Sequence, residues 1–298
     1  MELSQWQRKQ ATLLYHFSSL KYLEGLMDRV RAFRALADHI LDINETQGRD
    51  KFLRSKQRGD RSTGENWENN AWPFLADFQR SIVQSIGEQR SSIYHRTCAY
   101  QCVRGMSEFS MQWMSPDEQR QIDQRVEELY KYAGYIDETM DRTTNATRWD
   151  DFGLTMAWQA HSNQFSRFPK LRAHPDILAD SGQLPRKTGV YLSIEDPDAT
   201  LQFAWTGSPS GHLLDATTFN TTGKSALSAV GRVRLWEDGN AMLHFVLDNL
   251  KNPDLTSDPF FEDSKKPDLA PTLVARNAFT SHPSRWCFVE LVKDEFGV

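Results

Sequence analysis

His95, Cys98 and Cys102 are spaced i, i+3 and i+7, so a helix through them would present all three on one face. Imidazole and thiolate are soft ligands, and three on one face could begin a zinc site. A fourth ligand is not apparent nearby, and cysteine is among the residue types most often buried in cores. The trio is therefore read as packing, and neither a metal nor a cofactor is expected. A Cys–His nucleophile pair is the enzymatic alternative, but no local cysteine-enzyme signature surrounds it.

Other fragments fall short of chemistry in the same way. Gly223-Lys224-Ser225 imitates the end of a phosphate-binding loop, yet Thr218 stands where that loop needs its first glycine. Gly207 to Gly211 imitates a nucleophile elbow with Pro209 in the serine position. Asp196-Pro197-Asp198 pairs two carboxylates, but first of all it spells a turn. No zinc-protease helix and no dinucleotide fingerprint occurs. The chain is expected not to be an enzyme.

Charge is more informative. The net charge is −5. From Glu237 onward there are eleven acids against six bases, so this stretch accounts for all of it. Phosphate binding requires lysine and arginine, so nucleic acid is not the expected partner. An acidic surface suits a basic protein. Glu237, Asp238, Glu262 and Asp263 are the candidate contact residues. The three cysteines, Cys98, Cys102 and Cys287, do not make a disulfide framework, which points to a reducing cytoplasm. No secretory signal and no membrane-length apolar run is seen, so no membrane partner is expected.

The elements follow from proline placement and apolar periodicity. Only Pro73 and Pro116 precede residue 169; the other ten prolines follow. Long helices are thus permitted early and discouraged late. Residues 4–43 read as one helix, with Ser4 as N-cap, Gly48 beyond its end, and a stripe from Leu13 to Ile40. Residues 44–70 read as a polar loop. Helix is expected from Pro73 to about Trp113, with Gly87 as an interruption. Ser115-Pro116-Asp117-Glu118 spells a capping box, and a further helix covers 150–165. After a connector containing Pro169, Pro175, Gly182 and Pro185, strands are expected at 188–194, 200–206 and 285–292, all in one sheet. Helices are expected at 220–230 and 240–250, and 251–283 reads as irregular. The expected class is α+β: a long-helix bundle over 1–168, then a mixed α/β domain with a small antiparallel sheet over 169–298.

The run from Lys187 to Trp236 contains TGVYLSIEDPDATLQFAWTG and then TTFNTTGKSALSAVGRVRLWEDG. It resembles immunity proteins encoded beside toxins of bacterial polymorphic toxin and type VI secretion systems. Those proteins share a helical N-terminal region followed by a similar TGVY, DP, LQFAWTG, FN, VGR and LW series. The resemblance is specific over roughly fifty residues and is architectural before them. It implies a cytoplasmic antitoxin that neutralises its cognate toxin by binding and occlusion, with no catalytic residues of its own. A metal- or Cys/His-dependent enzyme and an effector-loading adaptor of a secretion system are the alternatives.

Overall fold

The computed structural model describes residues 2–54, 59–142 and 148–296. The class is α+β, with helices dominating the first half and a small antiparallel sheet in the second. Two compact units emerge: His16–Asp141, and Met1–Tyr15 together with Arg142–Val298. The chain therefore divides at 15/16 and 141/142, where the sequence reading placed a single division at 168/169. The first fifteen residues join the sheet-bearing unit through side chains that periodicity does not reveal: the Gln10 amide oxygen accepts from the Leu201 N–H at 3.0 Å.

The expected first helix is two, α1 (Gln5–Phe17) and α2 (Leu20–Gln47). The break falls at Ser18-Ser19, where the Ser19 hydroxyl accepts from the Tyr22 N–H at 3.1 Å and caps α2. Apolar spacing continues across the break, which is why it reads as one stripe. Ser4 caps α1, accepting from the Gln7 N–H while its own N–H donates to Gln7 Oε1. Gly48 closes α2 in the left-handed region, φ 61°.

The expected polar loop instead carries α3 (Arg49–Arg54), a 3₁₀ turn (Gly59–Ser62) and α4 (Gly64–Asn70). Caps rather than apolar stripes order this stretch. Thr63 caps α4, and the Asp50 carboxylate accepts from the Gly64 and Glu65 N–H groups at 2.8 and 3.0 Å. The next expected helix runs through Gly87 as α5 (Trp72–Gln89) but then stops; Ser92 turns left-handed, and α6 (Ala99–Ser107) follows. The capping box holds as read: α7 (Pro116–Met140) begins with reciprocal Ser115 and Glu118 bonds. Within the His16–Asp141 unit, α2 packs on α5 and α7 through Phe33, Leu75, Phe78, Ile82, Leu129 and Ile136, all buried.

The other unit contains α8 (Asp151–His161), capped by Asp150, and β1 (Pro169–Asp180), β2 (Gly189–Ser193) and β3 (Gln202–Ala204). There follow β4 (Ala216–Phe219), α9 (Thr221–Val230), α10 (Gly239–Asp248), α11 (Pro253–Thr256), α12 (Ala270–Arg276), β5 (Phe279–His282) and β6 (Arg285–Phe296). The main sheet is antiparallel in the order β1-β6-β2-β3, so the three expected strands do share one sheet. β1 occupies the expected connector, where Pro169 and Pro175 argue against a strand. It lies at the edge of the sheet, and Pro175 falls where its register with β6 shifts, between His174 and Leu178. Those are the two places a strand tolerates proline. β4 and β5 form a separate pair. In the region read as irregular, Pro253 and Pro271 stand in the first turns of α11 and α12, where a missing N–H costs nothing.

Candidate functional site

The first turn of α8 places one carboxylate at a junction of the Met1–Tyr15/Arg142–Val298 unit. The Asp150 side chain caps the helix, accepting from the Gly153 N–H at 2.7 Å. Asp151, the next residue, turns inward and is 2% exposed. Its Oδ2 accepts from the Trp6 indole at 2.7 Å and from Arg232 Nη1 at 2.5 Å. Its Oδ1 accepts from the Trp236 indole at 2.7 Å. Arg232 Nη2 donates in turn to Asp198 Oδ1 at 2.5 Å. One acid therefore ties α1, the start of α8 and the 231–237 turn together, and Arg232 adds the 196–198 turn.

Burial raises the Asp151 pKa; the Arg232 charge, then the Trp236 and Trp6 hydrogen bonds, oppose it. Burial also lifts Asp150, to about 6, against the Gly153 hydrogen bond. The guanidinium of Arg232 lies 5.2 Å from the centre of the Phe219 ring, adding an aromatic wall to its two carboxylates.

This junction forms the floor of a cleft of about 650 Å³. Trp6, Lys9, Pro197, Val233 and Glu237 line it, along with Asp151, Asp198 and Arg232. The Gln7 amide donates to the Pro197 carbonyl at 3.3 Å and holds one wall to α1.

Of the acids singled out from sequence, Glu237 is exposed and lines this cleft. Asp238 caps α10 by accepting from the Ala241 N–H at 2.9 Å and also pairs with Arg234 at 2.5 Å. The Ala241 N–H, followed by Arg234, holds its carboxyl below the usual range. Glu262 and Asp263 are exposed on a turn after α11, with Glu262 paired to Lys265 at 2.8 Å, and neither lines the cleft.

The His95–Cys98–Cys102 trio does not share a helical face, because α6 begins only at Ala99. His95 pairs with Glu88 at 2.9 Å, and Cys102 is buried with its Sγ 3.7 Å from Met106 Sδ. Burial pushes the Cys102 thiol up to about 12, the wrong direction for a nucleophile. Among the described residues, no three His, Cys, Asp or Glu side chains converge as a metal site. Gly223 is explained by packing: a Cβ there would lie 2.3 Å from the Ala278 carbonyl oxygen.

Sequence reasoning missed Trp6 and Asp151, which lie 145 positions apart and carry no local motif. Arg232 and Trp236 were within reach, since they fall inside the VGR and LW pieces of the Lys187–Trp236 run, and Asp198 directly follows its DP piece. No family model, curated protein or solved structure matches the chain.

Proposed function

We propose that the chain is an immunity protein, one that binds a cognate bacterial effector toxin in the cytoplasm and neutralises it by occlusion, without catalysis of its own. The observation that carries this reading is the resemblance of the Lys187–Trp236 run. The position of its residues supports it. Arg232 and Trp236 both donate to Asp151, and Arg232 also holds Asp198, the residue after the DP pair, so the VGR and LW pieces and the turn that follows DP build one fixed assembly rather than scattered turns. A carboxylate holding three donors orients its neighbours and stiffens the surface around them. Stiff surfaces lose less entropy on binding and so bind more tightly. No helix among the described residues is long and apolar enough to cross a membrane.

The acidic stretch gives the partner's chemistry in this reading. Glu237, Asp263 and the paired Glu262 are exposed, while Asp238 is already engaged by its cap. Co-expression with the toxin encoded beside it tests the proposal. Cells should survive, and the two proteins should co-purify with a Kd on the order of nanomolar. A stable complex without survival would make the chain an adaptor, and the absence of both survival and a complex would rule immunity out. Reversing Glu262 and Asp263 to Lys should slow association and flatten its salt dependence, read by stopped-flow mixing at two salt concentrations.

A further inference from the structure

The cleft above Asp151 has a composition of its own. Its cation, Arg232, is already held between Asp151 and Asp198. Its other cation, Lys9, lies 5.5 Å from the centre of the Trp158 ring. The Glu237 carboxylate, in contrast, lines the cleft with no side-chain partner among the described residues. Beside it stands Val233, 84% exposed, an unusual position for a branched apolar side chain. Trp6 lines the same space, with its indole N–H taken by Asp151. An apolar wall next to an unpaired carboxylate matches one kind of group: a long aliphatic stem ending in a positive charge.

We propose that this cleft receives a lysine or arginine side chain of the partner protein, with its stem against Val233 and Trp6 and its head at Glu237. The identity of the partner rests on the immunity reading; the chemistry of the cleft does not. Asp151 and Asp198 add negative field from the floor, and Arg232, fixed between them, keeps the entering cation at the Glu237 side by repulsion.

The test uses the full chain and a small probe. The indole N–H resonances are followed while N-acetyl-Gly-Arg-Gly-amide is added, with the citrulline peptide as its uncharged counterpart. The Trp6 signal, assigned by its loss in Trp6→Phe, should shift saturably with the arginine peptide and not with the citrulline one. Glu237→Gln should weaken the probe about five-fold, the size of a partly desolvated ion pair. Its other indole signals should stay in place, showing that the fold is intact. Equal shifts with both peptides, or no Trp6 shift at tens of millimolar, would overturn the proposal. A second arm separates it from the immunity reading. Glu237→Lys should lower affinity for the co-expressed toxin at least ten-fold. An unchanged toxin complex would show that the partner docks elsewhere and would sink the inference while leaving immunity standing. A parent chain with no toxin complex would remove the immunity reading, and the peptide titration would still decide the cleft.

Discussion

Asp151 and Asp198 share one arginine, yet burial gives them unequal weight. Asp151 is 2% exposed and Asp198 is 37% exposed at the side chain. Removing Asp151 leaves the Trp6 and Trp236 indoles without acceptors and half of Arg232 unpaired. Asp151→Ala should therefore cost about 3 kcal/mol or more. Asp198→Ala faces water and should cost about 1 kcal/mol or less. Urea midpoints of the two variants check the contrast, and equal losses would disprove the assignment of Asp151 as the anchor. Asp137 makes a second claim at this scale. It accepts from the Thr97 N–H at 2.5 Å and the Thr97 hydroxyl at 3.0 Å, yet burial lifts its pKa to about 6. Arg96 lowers that value and Asp141 raises it. An unfolded aspartate titrates near 3.9. Between about pH 4 and 6 the folded state thus binds the extra proton, and this contribution to stability falls as pH rises through that window. Asp137→Asn should remove its share of the slope, measured as the difference in urea midpoint from the parent at pH 4, 5, 6 and 7.

At the scale of elements, close backbone approach decides which glycines matter. A methyl at Gly223 would press on the Ala278 carbonyl at 2.3 Å and the Phe219 ring at 2.7 Å, so α9 would have to lift off. Gly223→Ala should destabilise by about 1–3 kcal/mol. Gly87, inside α5, has nothing within 4 Å of that position. Gly87→Ala should instead stabilise by about 0.5–1 kcal/mol, through better helix propensity. Thermal melts of the pair should move in opposite directions. The same elements show what the sequence could reveal. α7 was legible because its start signal is local, as were the strand pair β2–β3 and the long strand β6. The Ser18-Ser19 break and the helices α3 and α4 were not legible as elements, because their order comes from single caps rather than from apolar spacing. β1 was hidden by prolines whose tolerance depends on an edge position that only pairing defines. The Asp151 junction was half visible: Asp198, Arg232 and Trp236 sat in a noticed run, but nothing near Trp6 or Asp151 names their partner across 145 residues.

Across the whole molecule the three thiols are placed unequally. Cys98 is exposed, while Cys102 lies buried in the His16–Asp141 unit and Cys287 in the other. Burial raises the pKa of both buried thiols. A disulfide reagent such as DTNB should therefore find one fast thiol per chain and two that react only on opening. Cys102→Ser and Cys287→Ser would then report the opening of each unit separately; three fast thiols would contradict this burial.

The segment Met1–Tyr15 also has a consequence for how the chain is made. The Tyr15 hydroxyl donates to the carbonyl of Val289, 274 positions later, and accepts from the Val190 N–H at 3.3 Å. Val289 lies on β6, which pairs with both β1 and β2 and so sits inside the sheet. At a translation rate of about 5–20 residues per second, α1 leaves the ribosome roughly 14–55 s before that strand exists. The His16–Asp141 unit has all its residues within that interval and can close while synthesis continues. The unit that carries the Asp151 junction is begun first and completed last, so Trp6 waits through about half of synthesis for Asp151 and Tyr15 through nearly all of it for Val289.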